Sequence, residues 1–174
     1  MNQTSAGAGG DTPGPALGHG LPVPSHIEEV QPDWVDEDGA LLPAYHVVIF
    51  DHAVDLLFDT IGIGWAYRRA SNFGTFAVET HTTHRLPVGA GERVTVLGYI
   101  LAVDAKRLHH WHAMFKQGEA DPVSTMEQMT VHVDLEARRT APFPAAIIER
   151  IHALMAEQQS GPPAAAIGRK IDVQ

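Results

Sequence analysis

The hydrophobic pattern predicts one long helix in the first half of the chain. From residue 44 to residue 62, apolar side chains occur on nearly every side of a helical projection. A helix that is apolar nearly all round is buried inside a domain rather than lying on its surface. At about 1.5 Å per residue it spans roughly 28 Å, the width of a small domain. Gly62 suits the end of such a helix, because glycine readily takes the left-handed conformation found there.

The rest of the pattern predicts strands and one closing helix. Runs rich in β-branched and aromatic residues indicate strands, and breaks rich in Gly, Pro and Asp indicate hairpin connections between them, the first at 87–91. The predicted strands are 26–31, 75–86, 93–103, 108–116 and 123–135, with a helical turn at 65–70 and a final helix at 145–158. This order predicts an α+β fold with a mostly antiparallel sheet. The sheet can wrap around the long helix, as in the hotdog fold, or form a generic α+β sandwich, and the pattern leaves both open.

Both ends of the chain are predicted to be tails. Residues 1–24 hold six glycines and four prolines among few bulky side chains, which predicts disorder. Ser160-Gly161-Pro162-Pro163 ends the last helix and begins a C-terminal tail, 160–174. The length of 174 residues fits one domain between them, at 25–159.

Composition and charge exclude several classes of protein. With 12 basic and 21 acidic residues the formal net charge is −9, which argues against a nucleic-acid partner. No apolar run approaches the length of a membrane span, so we expect no membrane partner. We recognise no secretory signal, and we predict a cytoplasmic protein. The absence of cysteine excludes disulfides, thiolate metal sites and cysteine nucleophiles.

The 11 histidines raise the question of a metal. His110 and His112 share a strand face, whereas His81 and His84 point to opposite faces of theirs. We find neither a helical His-x-x-His motif nor a spacing that combines two histidines with a carboxylate. The sequence therefore predicts no metal and no cofactor, and histidines whose partners lie on neighbouring strands.

An acidic loop precedes the long helix: Asp33-Trp34-Val35-Asp36-Glu37-Asp38-Gly39. Read alone, it is typical of a solvated acidic loop. It also resembles the Asp-x-x-Gly loop of the 4-hydroxybenzoyl-CoA thioesterase-like hotdog family. Further motifs follow in the order of that family, and between about residues 30 and 154 they look like its carnitine-associated branch, the betainyl-CoA thioesterases. They are Glu79-Thr80-His81, Asp104-Ala105-Lys106-Arg107-Leu108-His109, His112-Ala113-Met114, Glu127-Gln128-Met129, His132-Val133-Asp134 and Ala141-Pro142-Phe143-Pro144.

The resemblance implies a fold, an activity and an assembly. The expected fold is the hotdog fold, the expected substrate an acyl-CoA thioester, and the expected state a homodimer or homotetramer. Asp36 is the implied catalytic carboxylate, with Asp38 as its substitute. Related loops usually read Asp-Tyr-Asn-Gly-His-Met, whereas here Asp38 and Ala40 replace the Asn and His. A different acyl group, slow turnover or a non-catalytic acyl-CoA or small-molecule binding protein are the alternatives that this departure leaves open.

Thioester hydrolysis needs an attacking oxygen and a positive environment for the oxyanion. Asp36 can attack directly or activate water. The N–H groups near Leu42, Ala44 and Tyr45, at the positive end of the helix dipole, are the predicted oxyanion donors. Gly39 permits a positive φ or a close approach of the acyl group.

Substrate-binding residues are predicted from charge and aromatic character. A cationic acyl group is held by carboxylates and aromatic faces. The candidate carboxylates are Glu79 and Glu127, and the candidate aromatic residues are Trp34, Tyr45, Trp65, Tyr67 and Trp111. Lys106 and Arg107 follow a tight turn and can hold CoA phosphates. The structural alternatives are that the two glutamates pair with histidines or arginines of neighbouring strands, that the aromatic residues pack in the core, and that the two cations form surface ion pairs.

Overall fold

A computed structural model describes residues 23–158 and 166–168. Most of the two predicted tails lies outside the described residues. The elements are β1 (Val23–Glu29), a 3-10 turn (Pro32–Trp34), α1 (Pro43–Ile61), α2 (Trp65–Ala70), β2 (Phe73–His84), β3 (Arg93–Val103), β4 (Arg107–Lys116), β5 (Ser124–Asp134), β6 (Arg139–Thr140) and α3 (Ala145–Glu157). The predicted elements are all found within three residues of their expected bounds, and β6 is an addition.

The strands form one antiparallel sheet whose main order is β1-β3-β4-β5-β2, with β6 paired to the end of β5. Its inner face packs on α1, and the main core joins residues of this helix to inward-facing residues of the strands, such as Leu108, Met114 and Met126. The predicted α+β fold with the sheet around the long helix is confirmed. None of the helices in the described part of the chain is long and apolar enough to cross a membrane.

The predicted hairpin between the second and third strands is wrong. β2 pairs with β5, and β3 lies three strand positions away, between β1 and β4. The connection starts beside β5, where the Arg85 N–H donates to Val123 O at 2.9 Å, and ends after β1, where the Gly91 N–H donates to Val30 O at 2.8 Å. Three strand spacings are about 14 Å, which a connection of this length can cross. A Gly/Pro-rich break shows that a strand ends and leaves open which strand lies beside it.

The long helix is buried on one side only. Ile49, Phe50 and Leu57 are almost completely buried, but Val47 remains 43% exposed and Leu56 37% exposed. The expectation of burial all round is therefore wrong for the single chain, and an apolar strip of α1 faces outward. Helix α1 ends as predicted: Gly62 has a φ of 84°, and its N–H donates to the last turn.

The outer face of the sheet carries a second, smaller core. Tyr99, Trp111, Ala113 and Phe115 are buried there, and Ala166 packs against them. The Gln158 side chain binds the N–H and the C=O of Ile100, both at 2.9 Å. The amide thus occupies the edge of β3 beyond the end of β1, as a neighbouring strand would.

Candidate active site

The acidic loop ahead of α1 folds as a miniature hairpin. Val35 and Leu41 form an antiparallel bridge, the Asp36 N–H donates to Ala40 O at 2.9 Å, and the Gly39 N–H donates to Asp36 O at 3.0 Å. Gly39 has a φ of 81°, the positive value expected for it. The turn therefore depends on Gly39 and holds Asp36 at a fixed place before the helix.

One oxygen of the Asp36 carboxylate is used to build this turn. Its Oδ1 accepts the N–H of Asp38 at 3.0 Å and that of Ala40 at 2.9 Å. The side chain is exposed, and within the described residues Oδ2 accepts no hydrogen bond. The carboxylate is therefore oriented by one oxygen and presents the other to solvent, an arrangement suited to a nucleophile or a base.

The connection between β2 and β3 supports the turn. The Leu41 N–H donates to Val88 O at 2.7 Å, and Val88 is fully buried. Beside it, Glu92 accepts the N–H of Gly89 at 2.7 Å and pairs with Lys116 at 3.0 Å. The Gly89 N–H, together with Lys116, holds the pKa of Glu92 below its ordinary value. The position of Asp36 thus depends on a connection more than forty residues away in sequence.

The start of α1 offers fewer free donors than expected. The Leu42 N–H donates to Trp34 O at 3.0 Å, and the Tyr45 N–H donates to Leu42 O at 2.9 Å, so the prediction that both groups are free is wrong. These bonds form because the loop and the first helical turn fold back on each other. The Ala44 N–H has no acceptor among the described residues. The Trp34 and Tyr45 rings stack above this end, with centroids 5.2 Å apart and planes 12° apart.

A cavity of about 200 Å³ lies further along the same helix, between α1, α2, β2 and β5. Asp51 and Asp55, one helical turn apart, line it from α1. Burial and the charge of Asp55 raise the pKa of Asp51. The other lining residues are Val54, Phe58, Ile63, Gly64, Trp65, Arg68, Gly74, Thr75, Ala77, Gln128 and Thr130.

Aromatic rings complete the acidic wall of this cavity. The Trp65 indole N–H donates to Asp55 Oδ2 at 3.3 Å. The guanidinium carbon of Arg68 lies 5.4 Å from the centroid of the Trp65 ring, within the range of a cation–π contact. Phe58 is buried next to them. Two carboxylates face one guanidinium here, so the lining keeps a net negative charge when both are ionised.

Behind the cavity, a buried polar network crosses three strands. Thr80 donates to Gln128 Oε1, and the Gln128 amide donates to Thr130 Oγ1, both at 3.2 Å. Thr130 in turn lies 3.1 Å from His110 Nε2, and His110 Nδ1 lies 3.5 Å from His112 Nδ1. Burial lowers the pKa of His112 to about 4 and that of His110 well below its ordinary value. Both rings are therefore neutral at physiological pH.

The remaining predicted substrate-binding residues lie elsewhere. Glu79 is exposed on β2 and lies 3.1 Å from His81. Glu127 is on the outer face of the sheet, where it pairs with His109 at 2.8 Å and accepts the Gly168 N–H at 2.7 Å. The register places both glutamates on the outer face of the sheet, because His81 stands opposite Glu127 and Glu79 is two residues from His81. They therefore lie away from the Asp36 loop and the cavity. Glu79 pairs with a histidine of its own strand. Glu127 pairs with a histidine of the neighbouring strand β4, which is the alternative that the pattern left open.

Trp111, Lys106 and Arg107 also lie outside the loop and the cavity. Trp111 is only 3% exposed, in the outer-face core. Arg107 pairs with Asp104 at 2.6 Å at the β3–β4 turn, and Lys106 is exposed beside it. The N–H of Lys106 and the Arg107 side chain lower the pKa of Asp104 to about 2. The structure thus brings together Trp34, Asp36, Asp38, Gly39, Ala44 and Tyr45, but leaves the other predicted residues apart from them.

The sequence interpretation missed the carboxylates of the cavity. Asp51 and Asp55 occur in a helix that was expected to be buried throughout, and their four-residue spacing, which places both on one face of the helix, was the signal available. Charged side chains on such a helix must face a cavity, a partner or solvent, since isolated burial is too costly.

Comparison with known proteins identifies the class. Residues 30–151 match the thioesterase-like superfamily. The chain belongs to this family and is a hotdog-fold acyl-CoA thioesterase. The betainyl-CoA thioesterase of Pseudomonas aeruginosa is 36% identical over 142 residues, which cover 82% of this chain and 89% of that protein. An Agrobacterium fabrum protein named L-carnitine dehydrogenase/betainyl-CoA thioesterase is also 36% identical, over 81% of this chain and 28% of its own length.

Solved structures agree with this class. A Staphylococcus aureus protein determined in complex with CoA superposes with a TM-score of 0.82 at 25% identity, covering 86% of this chain and 94% of that one. A candidate thioesterase of Pseudomonas putida superposes with a TM-score of 0.77 at 32% identity, covering 90% of this chain and 98% of that one. The predicted hotdog fold and thioesterase activity are therefore confirmed.

Proposed function

We propose that this thioesterase hydrolyses the CoA thioester of a small cationic acyl group of the betainyl type, as in carnitine breakdown. The observation that carries the proposal is the cavity in which Asp51 and Asp55 face Phe58 and Trp65. The betainyl-CoA thioesterase activity named for the Pseudomonas aeruginosa relative supports it. A betainyl group carries a quaternary ammonium head, so the lining of the cavity and the activity of the relative favour the same class of substrate.

A quaternary ammonium group needs this kind of lining. It carries no hydrogen to donate, and it loses hydration on burial, so ring faces and carboxylates must compensate. Asp51 and Asp55 supply two negative charges against the one positive charge of Arg68. Burial and the charge of Asp55 raise the pKa of Asp51. An added cation is favourable there, since it reduces the repulsion between the two carboxylates.

In the proposed reaction, Asp36 acts through its free Oδ2. It attacks the thioester carbonyl carbon to form an anhydride that water then hydrolyses, or it takes a proton from the water that attacks. In both routes the C–S bond breaks, and CoA leaves as a thiolate that gains a proton. The Ala44 N–H, at the positive end of α1, stabilises the oxyanion. Lys106 and Arg107 are the proposed cations for the CoA phosphates.

The two halves of this site come from two copies of the chain in our proposal. Asp51 lies eight residues after Pro43, the first residue of α1, which is about 12 Å along the axis. A betainyl group is too short to join the two places within one chain. A two-fold axis that sets two copies of α1 antiparallel would bring the Asp36 loop of one chain to the cavity of the other. The exposed Val47 of α1 and Phe76, 65% exposed on the edge strand β2, support such a homodimer or a homotetramer built from it.

The test of substrate class compares two matched thioesters. Betainyl-CoA and 3,3-dimethylbutyryl-CoA share the branched head and differ in its charge. We expect the cationic compound to give a kcat/KM about five- to thirtyfold higher, from roughly 1–2 kcal/mol of charge recognition. Release of free thiol is the measurement. Equal rates would contradict the cationic substrate, and binding of both without thiol release would indicate a non-catalytic binding protein. The reaction is proposed to occur in the cytoplasm.

Subunit complementation tests the shared site. Asp36→Asn chains and Asp51→Asn/Asp55→Asn chains are each expected to be impaired alone. When the two variants are co-expressed at equal amounts, half of the dimers contain one chain of each. Each of these mixed dimers has one intact site out of two, so about a quarter of all sites are active. Recovery of this activity supports the shared site, and an activity no higher than the mean of the two variants measured alone contradicts it. Mixing two Asp36→Asn preparations is the control.

A further inference from the structure

Two histidines and a glutamate meet between β1 and α1. His26 and Glu28 are two residues apart on β1, so their side chains share one face of the strand. His26 Nε2 lies 2.8 Å from Glu28 Oε2, and His52 Nδ1 of α1 lies 2.9 Å from the same oxygen. All three donor atoms lie within 4.8 Å of one another. We infer that this cluster is a binding site for a divalent transition-metal ion of the zinc class.

The donor geometry is close to that of a metal centre. Bonds of about 2.0–2.1 Å from Zn²⁺ to imidazole nitrogen or carboxylate oxygen place tetrahedral ligands about 3.4 Å apart. The two nitrogen–oxygen distances therefore need to widen by about half an ångström. Side-chain exposures of 20% for His26, 18% for Glu28 and 45% for His52 leave room for that movement. They also leave a route for the ion and for the water that would complete its shell.

The protonation states also suit a metal. Burial alone raises the pKa of Glu28, but the hydrogen bonds and charges of His52 and His26 outweigh it and hold this pKa below its ordinary value. The carboxylate is thus ionised at neutral pH. An imidazole binds an ion through the lone pair of an unprotonated ring nitrogen, so binding requires the nitrogen that faces Glu28 to give up its proton. Two imidazoles and a carboxylate favour Zn²⁺, Ni²⁺ or Co²⁺ over Mg²⁺ and Ca²⁺, which prefer oxygen ligands.

The ligand set explains why the sequence did not indicate this site. The third ligand lies 24 residues beyond Glu28, on a helix, and only the packing of α1 on β1 brings it near. A bound ion would tie this edge strand to the central helix. Its expected effect is therefore on stability.

The experiment uses untagged, chelator-treated full-length protein titrated with Zn²⁺ and, for its visible absorption, Co²⁺. We expect one ion per chain and a Tm that rises with metal concentration. His52→Ala and Glu28→Gln should each weaken binding at least about tenfold, because loss of a ligand costs no less than loss of a supporting group. His81→Ala changes a histidine that pairs with an exposed glutamate elsewhere and should leave affinity unchanged.

His52 is on the surface side of α1, so its replacement tests the site without opening the core. The absence of a one-to-one ion in the parent protein would overturn the inference, as would unchanged affinity in His52→Ala. Because the readouts are metal content, absorption and Tm, their outcome does not depend on which thioester the enzyme hydrolyses.

Discussion

The two ends of α1 carry polar groups that are built in different ways. At the N-terminal end, the Asp36 turn is closed by hydrogen bonds between residues at most four positions apart. Towards the C-terminal end, the acidic cavity gathers Asp51 and Asp55 with Trp65 from α2 and Gln128 from β5. The first arrangement is local and exposed, whereas the second exists only after the sheet has wrapped the helix. In the proposed mechanism, catalytic chemistry and acyl-group selection can therefore vary independently.

The strongest test of this division is Asp36→Asn. The amide keeps an oxygen that can accept the N–H groups of Asp38 and Ala40, so the turn and the fold should survive. Loss of the nucleophile or base should lower kcat/KM at least about 100-fold. Thiol release measures the activity, and calorimetry with CoA measures retained binding. Asp33→Asn, in the same acidic stretch, is the matched control. Turnover within about threefold of the parent enzyme would instead direct attention to Asp38.

At the other end, Asp51→Asn/Asp55→Asn should change selectivity more than chemistry. Without the two charges, the preference for betainyl-CoA over 3,3-dimethylbutyryl-CoA should fall by about five- to thirtyfold. The rate on the neutral thioester should stay close to that of the parent. Glu79→Gln/Glu127→Gln is the comparison pair, since these glutamates lie outside the cavity. If that pair loses the preference and the aspartate pair keeps it, the cavity has been assigned wrongly.

A smaller effect on rate is expected from Gly39→Ala. An alanine here must adopt a φ near 81°, although no atom lies within 4 Å of its methyl group. The strain should cost about 1 kcal/mol of stability and lower kcat/KM several-fold by shifting Asp36. Gly91→Ala provides a control, since Gly91 has a φ of 77° and equally open space. The two variants should match in Tm, and equal kcat/KM values would show that the turn does not position the carboxylate.

The histidines behind the cavity should affect stability and leave the rate on either thioester unchanged. The pKa of His112 is about 4 in the folded chain and about 6.5 when unfolded. The unfolded state therefore binds the extra proton first, and stability is lost as pH falls from about 6.5 towards 4. The loss is roughly 3 kcal/mol for this residue. Denaturant unfolding at several pH values gives the slope of the free energy of unfolding against pH. This slope should be shallower for His112→Gln and unchanged for His152→Gln, which replaces an exposed histidine. Equal slopes for all three proteins would contradict a buried neutral His112.

Much of the fold was predictable because its signals are local. The bounds of β3 and α2 agree with the pattern residue for residue, since strand and turn residues determine them directly. The turn at Asp36 was predictable for the same reason: an Asp followed by Gly three positions later forms its own hydrogen bonds. The resemblance to a known family then named the fold and the activity, which the pattern by itself had left open.

Other features were decided only by the tertiary structure. Nothing near Gly89 shows that β2 pairs with β5 rather than β3, and nothing near Leu42 shows that its N–H reaches back to Trp34. The pattern predicts that Glu127 faces the core, whereas the register with β4 places it on the outer face beside His109. In each case the neighbouring strand or hydrogen-bond partner comes from another segment of the chain, or the direction of the side chain is fixed only by strand register.

The sequence by itself determined the elements, the turn that holds Asp36 and the membership of the thioesterase family. The tertiary structure decided where charge is gathered: Asp51 and Asp55 at the cavity, and His26, Glu28 and His52 between β1 and α1. The physical reason is range. Hydrogen bonds and backbone preferences within a few residues are encoded where they act, whereas a cavity or a cluster of ligands forms only when distant segments pack, so its members carry no common signal along the chain.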